Sequence, residues 1–509
     1  MSDALRSRWF ARVHAHAGVA LDDGHARVQG PALAQRIGGV ARALGDEGVQ
    51  AGDRVALLGL PSTAQALAVL AVQAVGAIPV PLGTRHTTAE LQHVVDDSGA
   101  TVLLLGAELR ERGNALASSA RVLDRDAIVH ASPSPLLPAP GDDEDAALLV
   151  YTSGTTGRSK GVVLPWRALV GNMEALGAAW GFCAADRLSL SLPLFHVHGL
   201  CIGIFAALLH GVSVLLHARF EPASTLADLR DRGATVFMGV PTMYVQWLEH
   251  LAAHPDDAAV LARARLFTAG SAPLPPRVFA EFARATGHAI LERYGMTETL
   301  ITLSNPLQGE RRVGTVGVPV PGVRMRIVDE HDVEVARGTA GELQIAGSSL
   351  MRGYWRDADA TAAALCGEFF RTGDIACEDP DGYVRIVGRA STDIIKSGGF
   401  KLSAREIEDV LREHPAVADV AIVAVTDARW GERVGAAIVP AAGAPALPEL
   451  AASIRALARA QLADYKCPRQ IVLLSLLPRN AMGKLDKRAL RAQLEGGEPG
   501  DADARDSHT

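Results

Sequence analysis

Short, nearly continuous apolar runs alternate with stretches of helical spacing through the first half of the chain, and this alternation restricts the possible folds. Apolar runs at residues 54–60, 77–82, 101–106 and 146–151 predict buried strands, and Thr63–Val75 has the spacing of a helix. Strands that are apolar on both faces and alternate with helices are typical of parallel sheets covered by helices on both sides. The sequence therefore predicts an α/β fold.

Shorter strand patterns and a change of composition mark the second half. The segments RMRIV, GELQIAG and GYVRIVG predict strands, and beyond Gly388 a helix (EIEDVLREH), a strand (VADVAIVAV) and a helix over Leu447–Leu462 follow. We predict a large N-terminal domain over 1–388 and a smaller α+β domain over 389–495. Residues 496–509 lack apolar periodicity, which predicts a disordered tail.

Charge and cysteine content exclude some classes of partner. The net charge of −7 argues against nucleic acid as the main partner. The 5 cysteines form no CxxC or Cys/His cluster, which argues against a zinc site. Their odd number favours a reducing compartment, so we predict a cytoplasmic protein.

No segment predicts a membrane span or a secretory signal. The longest apolar run, Leu200–Leu216, is interrupted by His210 and Gly211 and predicts a buried helix followed by a strand. At the N-terminus, the spacing of Leu5, Trp9 and Phe10 predicts an amphipathic helix. A transit peptide is the alternative interpretation of that segment.

The glycine-rich segment YTSGTTGRSKG (Tyr151–Gly161) follows one of the predicted strands. Gly154 and Gly157 would let backbone N–H groups approach an anion closely, and Lys160 adds a mobile cation. The spacing differs from that of a Walker A loop. Alone, the segment predicts either an anion-binding loop or a flexible surface turn.

Six further polar segments follow along the chain, and one of them ends in an acid, Asp374, that could hold a ribose diol. They are PLFHVHGL (193–200), GSAPL (270–274), RYGMTET (293–299), FFRTGD (369–374), GRASTDIIKSGGFKLSAREIE (388–408) and PRNAMGKLDK (478–487). In this order they resemble the motifs of the adenylate-forming superfamily, which contains acyl-CoA synthetases, luciferases and the adenylation domains of peptide synthetases. The resemblance extends from about Asp23 to Leu490.

The resemblance implies a fold and a reaction. The fold is a large N-terminal domain of two αβαβα halves plus a small β-barrel, followed by a mobile C-terminal domain. The reaction joins a carboxylic acid to AMP from ATP, with Mg²⁺, and then transfers the acyl group to coenzyme A.

The resemblance also implies roles for individual residues. Tyr294 would stack on adenine, Thr297 would contact the α-phosphate and Glu298 would hold Mg²⁺. Asp374 would receive the ribose hydroxyls beside Arg389. Lys484 would contact the carboxylate oxygen and the α-phosphate during adenylation.

Further positions are implied to contact ATP or coenzyme A. The phosphate grip comprises Thr152, also a metal ligand, with Ser153, Gly154, Thr155, Thr156, Gly157 and Lys160. The remaining positions are Gly270, Ser271, Ala272, Glu292, Gly295, Lys396, Ser397, Gly398 and Gly399.

Two segments, FHVHGL and ERYGMTET, resemble the malonyl-CoA synthetase branch of the superfamily, which implies malonate or methylmalonate as substrate. A dicarboxylate needs a partner for its second charge, and the planar fork of Arg293 suits that carboxylate, with Ser271 beside it. The alternative for Arg293 is a salt bridge to Glu292. His196 would line the acyl pocket, whereas His198 suits either the pocket or the core.

One departure from that branch widens the choice of acid. The branch usually carries a basic residue where this chain has Gln246, which brings no charge. The alternatives are a short-chain, medium-chain or aryl monocarboxylic acid, or a stand-alone enzyme that loads a carrier protein. A carrier partner is not favoured, because no attached carrier segment follows Lys484.

Overall fold

The computed structural model describes residues 4–116, 119–152, 159–397, 400–427, 430–479 and 485–496, with only the backbone at 400, 401 and 465. Its α-helices are α1 (Leu5–His14), α2 (Gly30–Asp46), α3 (Thr63–Val75), α4 (Thr88–Ser98), α5 (Arg110–Asn114), α6 (Arg125–Val129), α7 (Trp166–Trp180), α8 (Ala206–Leu209), α9 (Pro222–Asp231), α10 (Pro241–Ala253), α11 (Ala258–Leu261), α12 (Pro276–Thr286), α13 (Ala358–Ala363), α14 (Ala404–Leu411), α15 (Leu447–Gln461) and α16 (Lys487–Gly496).

The strands are β1 (Val19–Asp22), β2 (Arg27–Gln29), β3 (Arg54–Leu58), β4 (Ile78–Pro81), β5 (Val102–Leu105), β6 (Arg121–Asp124), β7 (Ala146–Thr152), β8 (Lys160–Pro165), β9 (Arg187–Leu190), β10 (Ser213–Leu216), β11 (Val236–Gly239), β12 (Leu266–Ala269), β13 (Leu291–Met296), β14 (Leu300–Ser304), β15 (Val318–Pro319), β16 (Val323–Val328), β17 (Gly341–Gly347), β18 (Gly353–Tyr354), β19 (Leu365–Cys366), β20 (Phe369–Glu378), β21 (Val384–Arg389), β22 (Ile394–Ser397), β23 (Phe400–Ser403), β24 (Val417–Asp427), β25 (Gly431–Pro440) and β26 (Gln470–Leu473).

Parallel strands form the centre of the first half of the chain. A 9-stranded sheet has the order β15-β14-β13-β12-β11-β9-β10-β1-β2, and its strands from β13 to β1 run parallel. A 4-stranded parallel sheet has the order β4-β3-β5-β6, and β18-β8-β7 is a 3-stranded antiparallel sheet. The central strands are buried along almost their whole length, as a parallel sheet between helices requires. The predicted α/β fold is confirmed.

Two predictions about apolar segments are also confirmed. Trp9 and Phe10 are buried on α1 while Leu5 is half-buried, and the Trp9 ring lies 4.9 Å from that of Phe205. The run Leu200–Leu216 forms a buried helical segment and then β10, although its residues up to Phe205 belong to a π-helix that begins at His198. No helix within the described ranges is long and apolar enough to cross a membrane.

A further 5-stranded sheet has the order β16-β17-β20-β19, with β21 paired to β20.

The chain divides into two compact units, of which the first comprises Met1–Arg326, Gln344–Arg371 and Gly382–Val384. The second comprises Ile327–Leu343, Thr372–Asp381 and Arg385–Thr509. The boundary predicted after Gly388 and the small β-barrel remain predictions.

The second unit contains a 5-stranded sheet, β23-β22-β25-β24, with β26 parallel to β25. Alternate residues of β24 enter two separate cores. Ile422 packs in the core with residues of α14 and α15, while Val423 packs in the core with Leu490 of α16. This period of two makes the sheet a layer between helices. Gly496 ends α16, and the rest of the predicted tail, 497–509, lies outside the described residues.

The starts of three neighbouring parallel strands in the large sheet meet at Asp186. Asp186, Thr235 and Arg265 directly precede β9, β11 and β12. Arg265 donates to the two carboxylate oxygens of Asp186 from Nε (2.7 Å) and Nη2 (2.6 Å), and Thr235 Oγ1 donates at 2.8 Å. The Cys183 N–H donates at 3.0 Å. We call Asp186, Thr235 and Arg265 the strand-start clamp.

The clamp should contribute measurably to stability. Asp186→Asn should lower the free energy of unfolding by about 2 kcal/mol, because Arg265 loses its ionised partner. Burial raises the pKa of Asp186, but hydrogen bonds from Arg265, Thr235 and Cys183 outweigh it and hold the pKa below 3.8. The contribution is therefore complete above pH 3.8 and disappears as the pH falls through the lower folded-state pKa.

Chemical denaturation at pH 7 and at pH 3 would measure this difference between wild type and variant. Asp231→Asn is the matched control, because Asp231 is exposed at the end of α9. Equal destabilisation by the two substitutions at pH 7 would contradict a specific role of the clamp.

Candidate active site

The glycine-rich segment connects two paired strands of the first unit. β7 ends at Thr152 and β8 begins at Lys160, and these two residues are register partners. Residues 153–158 between them lie outside the described residues, so Ser153, Gly154, Thr155, Thr156 and Gly157 remain predictions. The Lys160 ammonium lies 3.3 Å from Asp357 Oδ2 and 5.2 Å from the ring centroid of Tyr354.

The segment RYGMTET spans β13 and the turn into β14. Tyr294 and Thr297 are half-buried, whereas Glu298 is buried and accepts a hydrogen bond from the Tyr354 hydroxyl on Oε1 (3.1 Å). A Cβ at Gly295 would lie 2.0 Å from the Leu300 carbonyl oxygen, so a side chain does not fit there. Because Gly295 has no side chain, the backbones of β13 and β14 can pair closely next to Glu298.

Arg293, also on β13, is a buried cation, with 4% of its surface exposed. Its Nε and Nη2 have no hydrogen-bond partner among the described residues. Burial lowers the pKa of Arg293 to about 9. A Cβ at Gly270 would lie 2.5 Å from the guanidinium carbon, so glycine there leaves room for this side chain. A desolvated, incompletely paired guanidinium favours an anion beside it.

His198 lies in the same buried region and begins the π-helix. Its Nδ1 shares a hydrogen bond with Ser271 Oγ (3.1 Å), and its Nε2 has no partner within the described part of the chain. Burial and then the nearby charge of Arg293 lower the pKa of His198 well below 6.5, so the ring is neutral at pH 7. Ser271 has a φ of 67°, a strained conformation that is common at functional sites. The buried side chains of Arg293 and His198 form what we call the buried polar cluster, and the exposed Ser271 is hydrogen-bonded to it from the turn.

The turn that carries Ser271 follows the end of β12 and includes Gly270 and Ala272. Glu292 Oε1 accepts a hydrogen bond from the Leu274 N–H at 3.0 Å. The Glu292 carboxylate therefore holds this turn in place. Glu292 was predicted to contact the nucleotide, and that contact remains a prediction.

The other two predicted acid-binding residues differ in exposure. His196 is half-buried, and its ring lies 4.5 Å from that of Phe195. Gln246 is exposed on α10, whereas Tyr244 on the same helix is buried and donates to the Thr268 carbonyl at 2.7 Å. Two residues correspond to a rotation of about 200° around a helix, so Gln246 and Tyr244 point in nearly opposite directions.

In the second unit, Asp374 lies within β20 and pairs with Arg389, whose Nε is 2.9 Å from Asp374 Oδ1. The Arg389 N–H donates to Asp393 Oδ2 at 3.0 Å. The sequence predicted Asp374 and Arg389 to be close, and the 2.9 Å ion pair agrees with that. Contact of Asp374 with a ribose remains a prediction.

The remaining predicted residues lie in the second unit or outside the described ranges. Lys396 is exposed at the end of β22, and its N–H donates to Glu432 Oε2 at 2.7 Å. Ser397, the last residue of β22, is buried. Gly398, Gly399 and Lys484 lie outside the described residues.

Sequence reasoning overlooked Tyr354 and Asp357. Both contact predicted site residues, but Tyr354 is separated from Glu298 by 56 positions. In the sequence, they stand in or just after the GYW segment that follows the predicted strand GELQIAG. That segment alone indicates neither a binding role nor a catalytic role.

Known proteins resemble this chain over nearly its whole length. A family model described as AMP-binding enzyme matches residues 8–355, and one described as AMP-binding enzyme C-terminal domain matches residues 406–484. A malonate–CoA ligase of Arabidopsis thaliana is 36% identical over 88% of this chain and 79% of its own length.

Solved structures agree in fold. ATP-bound MatB from Rhodopseudomonas palustris is 34% identical with a TM-score of 0.89, covering 96% of this chain and 99% of that one. A malonyl-CoA ligase ternary product complex with methylmalonyl-CoA and AMP is 43% identical with a TM-score of 0.68, covering 91% and 97%. The predicted resemblance is confirmed, and the chain belongs to the family of AMP-binding enzymes.

Proposed function

We propose that this chain is an AMP-forming acid–CoA ligase whose acid is malonate or methylmalonate. The observation that carries the choice of acid is the buried guanidinium of Arg293, whose Nε and Nη2 lack partners among the described residues. A dicarboxylate has one carboxylate to activate and one that must be bound without reacting. The second carboxylate would complete the hydrogen bonds of Arg293.

The buried polar cluster suits a carboxylate better than an apolar tail. In the tautomer whose Nδ1 accepts from the Ser271 hydroxyl (3.1 Å), neutral His198 can donate a hydrogen bond from Nε2 to a carboxylate. Bidentate bonds from a guanidinium to a carboxylate are among the strongest polar contacts. An alkyl or aryl group against Arg293 would instead leave a buried charge without a counter-ion.

In the first half-reaction, the reacting carboxylate oxygen attacks the α-phosphorus of ATP, and pyrophosphate leaves. We assign Lys160 and the segment from Thr152 to the phosphates, and Tyr294 and Thr297 to adenine and the α-phosphate. Asp374 would bind the ribose. The site mainly positions two anions and offsets their repulsion.

Glu298 would hold Mg²⁺, with Thr152 as a second ligand. No group of three or more His, Cys, Asp or Glu side chains in the described ranges could hold a metal ion. A single buried carboxylate nevertheless fits Mg²⁺, which usually takes one or two carboxylates with waters and phosphate oxygens. When bound, Mg²⁺ neutralises charge on the phosphates.

In the second half-reaction, the thiolate of coenzyme A attacks the acyl carbonyl carbon, and AMP leaves. We propose that the domain over 389–495 is mobile and presents Lys484 in the first step. In the second step it would present the segment from Lys396 to Gly399. A compact lysine ammonium on a flexible stem can enter and leave a site in this way.

One alternative concerns the acid, and a second concerns the thiol acceptor. The uncharged and exposed Gln246 would suit a monocarboxylic acid, because it adds no second cation to the acid site. Loading of a separate carrier protein would use the same adenylation step. The choice between coenzyme A and a carrier depends on the thiol acceptor alone.

AMP release measured with malonate, methylmalonate, acetate, butyrate, octanoate and an aryl acid, each with coenzyme A, tests this proposal. We expect the dicarboxylates to give the highest kcat/KM, because only they supply an anion for Arg293. Omitting coenzyme A should stop turnover after one adenylate. A monocarboxylate used well above malonate would overturn the choice of acid, and turnover only with a carrier protein would overturn the choice of acceptor.

Arg293→Met should lower kcat/KM for malonate by about a hundredfold, because a charge-assisted bidentate contact is lost. ATP affinity should not change. The variant should also be at least as stable as wild type without substrate, since it removes a buried, incompletely paired charge. Steady-state kinetics and chemical denaturation would measure these two effects.

Arg311→Met is the matched control for Arg293. Burial also lowers the pKa of Arg311, but its guanidinium donates to the carbonyls of Ala289 and Leu307. The control variant should lose stability and keep its preference for malonate. Marked destabilisation by Arg293→Met with unchanged kcat/KM would show that Arg293 is structural.

Lys484→Ala should abolish formation of the acyl-adenylate but still convert synthetic malonyl-adenylate and coenzyme A to malonyl-CoA. The reason is that the ammonium contacts the α-phosphate only in the first step. Pyrophosphate exchange and thioester formation would measure the two half-reactions separately. Equal losses in both would contradict alternation of the C-terminal domain.

A further inference from the structure

Tyr354 contacts two charged residues that the proposed function assigns to ATP and its metal. Its hydroxyl donates to Glu298 Oε1 at 3.1 Å, and the ammonium of Lys160 lies 5.2 Å from its ring centroid. All three residues belong to the first unit. The ring face attracts a cation, whereas the hydroxyl binds a carboxylate, so one side chain holds opposite charges at different parts of its surface.

The backbone around Tyr354 is fixed between the strand that begins at Lys160 and the turn that contains Glu298. Tyr354 is the register partner of Val162 on β8, and the Trp355 N–H donates to the Gly161 carbonyl at 2.7 Å. On the other side, the Met351 N–H donates to the Glu298 carbonyl at 2.8 Å. The segment 351–355 therefore joins the two site elements through backbone bonds as well as through the phenol.

A residue of α13 also contacts Tyr354 and further restricts its backbone. Its N–H donates to Thr361 Oγ1 at 2.9 Å, and a Cβ at the preceding Gly353 would lie 2.9 Å from Thr361 Cγ2. Gly353 has a φ of 156°, so both space and conformation favour glycine there. Asp357, the partner of Lys160, caps α13 by accepting from the Ala360 N–H at 2.9 Å.

We propose that Tyr354 is a positioning residue that orients the Glu298 carboxylate for the metal and keeps Lys160 directed at the phosphates. This inference rests on the proposed function. The hydroxyl engages Oε1, which fixes the plane of the carboxylate and directs its remaining lone pairs. The ring contacts the Lys160 ammonium alongside Asp357, whose Oδ2 lies 3.3 Å from the same nitrogen, so the ammonium is restrained by both side chains.

Calorimetric titration with ATP, in the absence of any acid, tests this role without turnover. Tyr354→Phe keeps the ring and removes the hydroxyl, so affinity for ATP with Mg²⁺ should fall about tenfold. Affinity for ATP in EDTA should stay at the wild-type value, because Lys160 keeps its aromatic support. Tyr354→Leu should weaken binding of ATP in EDTA as well.

A double-mutant cycle with Glu298→Gln separates a positioning effect from general damage. If Tyr354 acts through Glu298, adding Tyr354→Phe to Glu298→Gln should cause no further loss of affinity for ATP with Mg²⁺. Independent, additive losses would overturn the proposal. Titration of Mn²⁺ with ATP, followed by electron paramagnetic resonance of the free ion, gives a direct measure of metal affinity.

Tyr383→Phe is the matched control. Tyr383 also has a guanidinium over its ring, that of Arg312 at 4.0 Å, but its hydroxyl donates to the Glu310 carbonyl at 2.8 Å. This control should bind ATP normally with and without Mg²⁺. Unchanged Mg²⁺ dependence in Tyr354→Phe would overturn the role of Tyr354 alone. Failure of the wild-type chain to bind ATP more tightly with Mg²⁺ would overturn the proposed function too.

Discussion

The carboxylate of Asp186 joins the starts of three parallel strands that are distant in sequence. Parallel strands cannot be connected by tight turns, so their alignment depends on tertiary contacts. Arg265 holds Asp186 with two hydrogen bonds and also donates to the carbonyls of Trp180 and Gly181 at the end of α7. The clamp therefore aligns the strands at their amino ends, and this alignment determines where their carboxyl ends bring side chains together.

The opposite edge of the same sheet carries the buried polar cluster. β12 ends just before Gly270 and Ser271, and β13 places Arg293 beside them, as expected at the carboxyl edge of a parallel sheet. At the amino edge, Asp186, Thr235 and Arg265 are hydrogen-bonded to one another. At the carboxyl edge, nitrogen atoms of Arg293 and His198 have no hydrogen-bond partner among the described residues. The sheet is thus stable at one edge and strained at the other, which is how binding sites commonly differ from the rest of a fold.

The parallel strands were predictable because each depends on a short stretch of sequence. Helix Thr63–Val75 and strand Gly341–Gly347 have the predicted bounds, since periodicity alone specifies them. Contacts between distant segments were not predictable. Arg265 lies 79 positions from Asp186, Tyr354 lies 56 from Glu298, and no local pattern connects either pair. The π-helix at His198 also escaped prediction, because the apolar run suits an ordinary helix equally well.

A charge argument connects Arg293 to the proposed choice of acid. In the proposed reaction malonate would approach ATP as a dianion, and repulsion between the two molecules would oppose attack on the α-phosphorus. A guanidinium that neutralises the second carboxylate would let the reacting end approach with a single negative charge, while the rest of the molecule supplies binding energy for positioning. For a monocarboxylic acid the same buried cation would give no such benefit and would retain its desolvation cost. The position of Arg293 in the core therefore favours a dicarboxylate over an apolar acid.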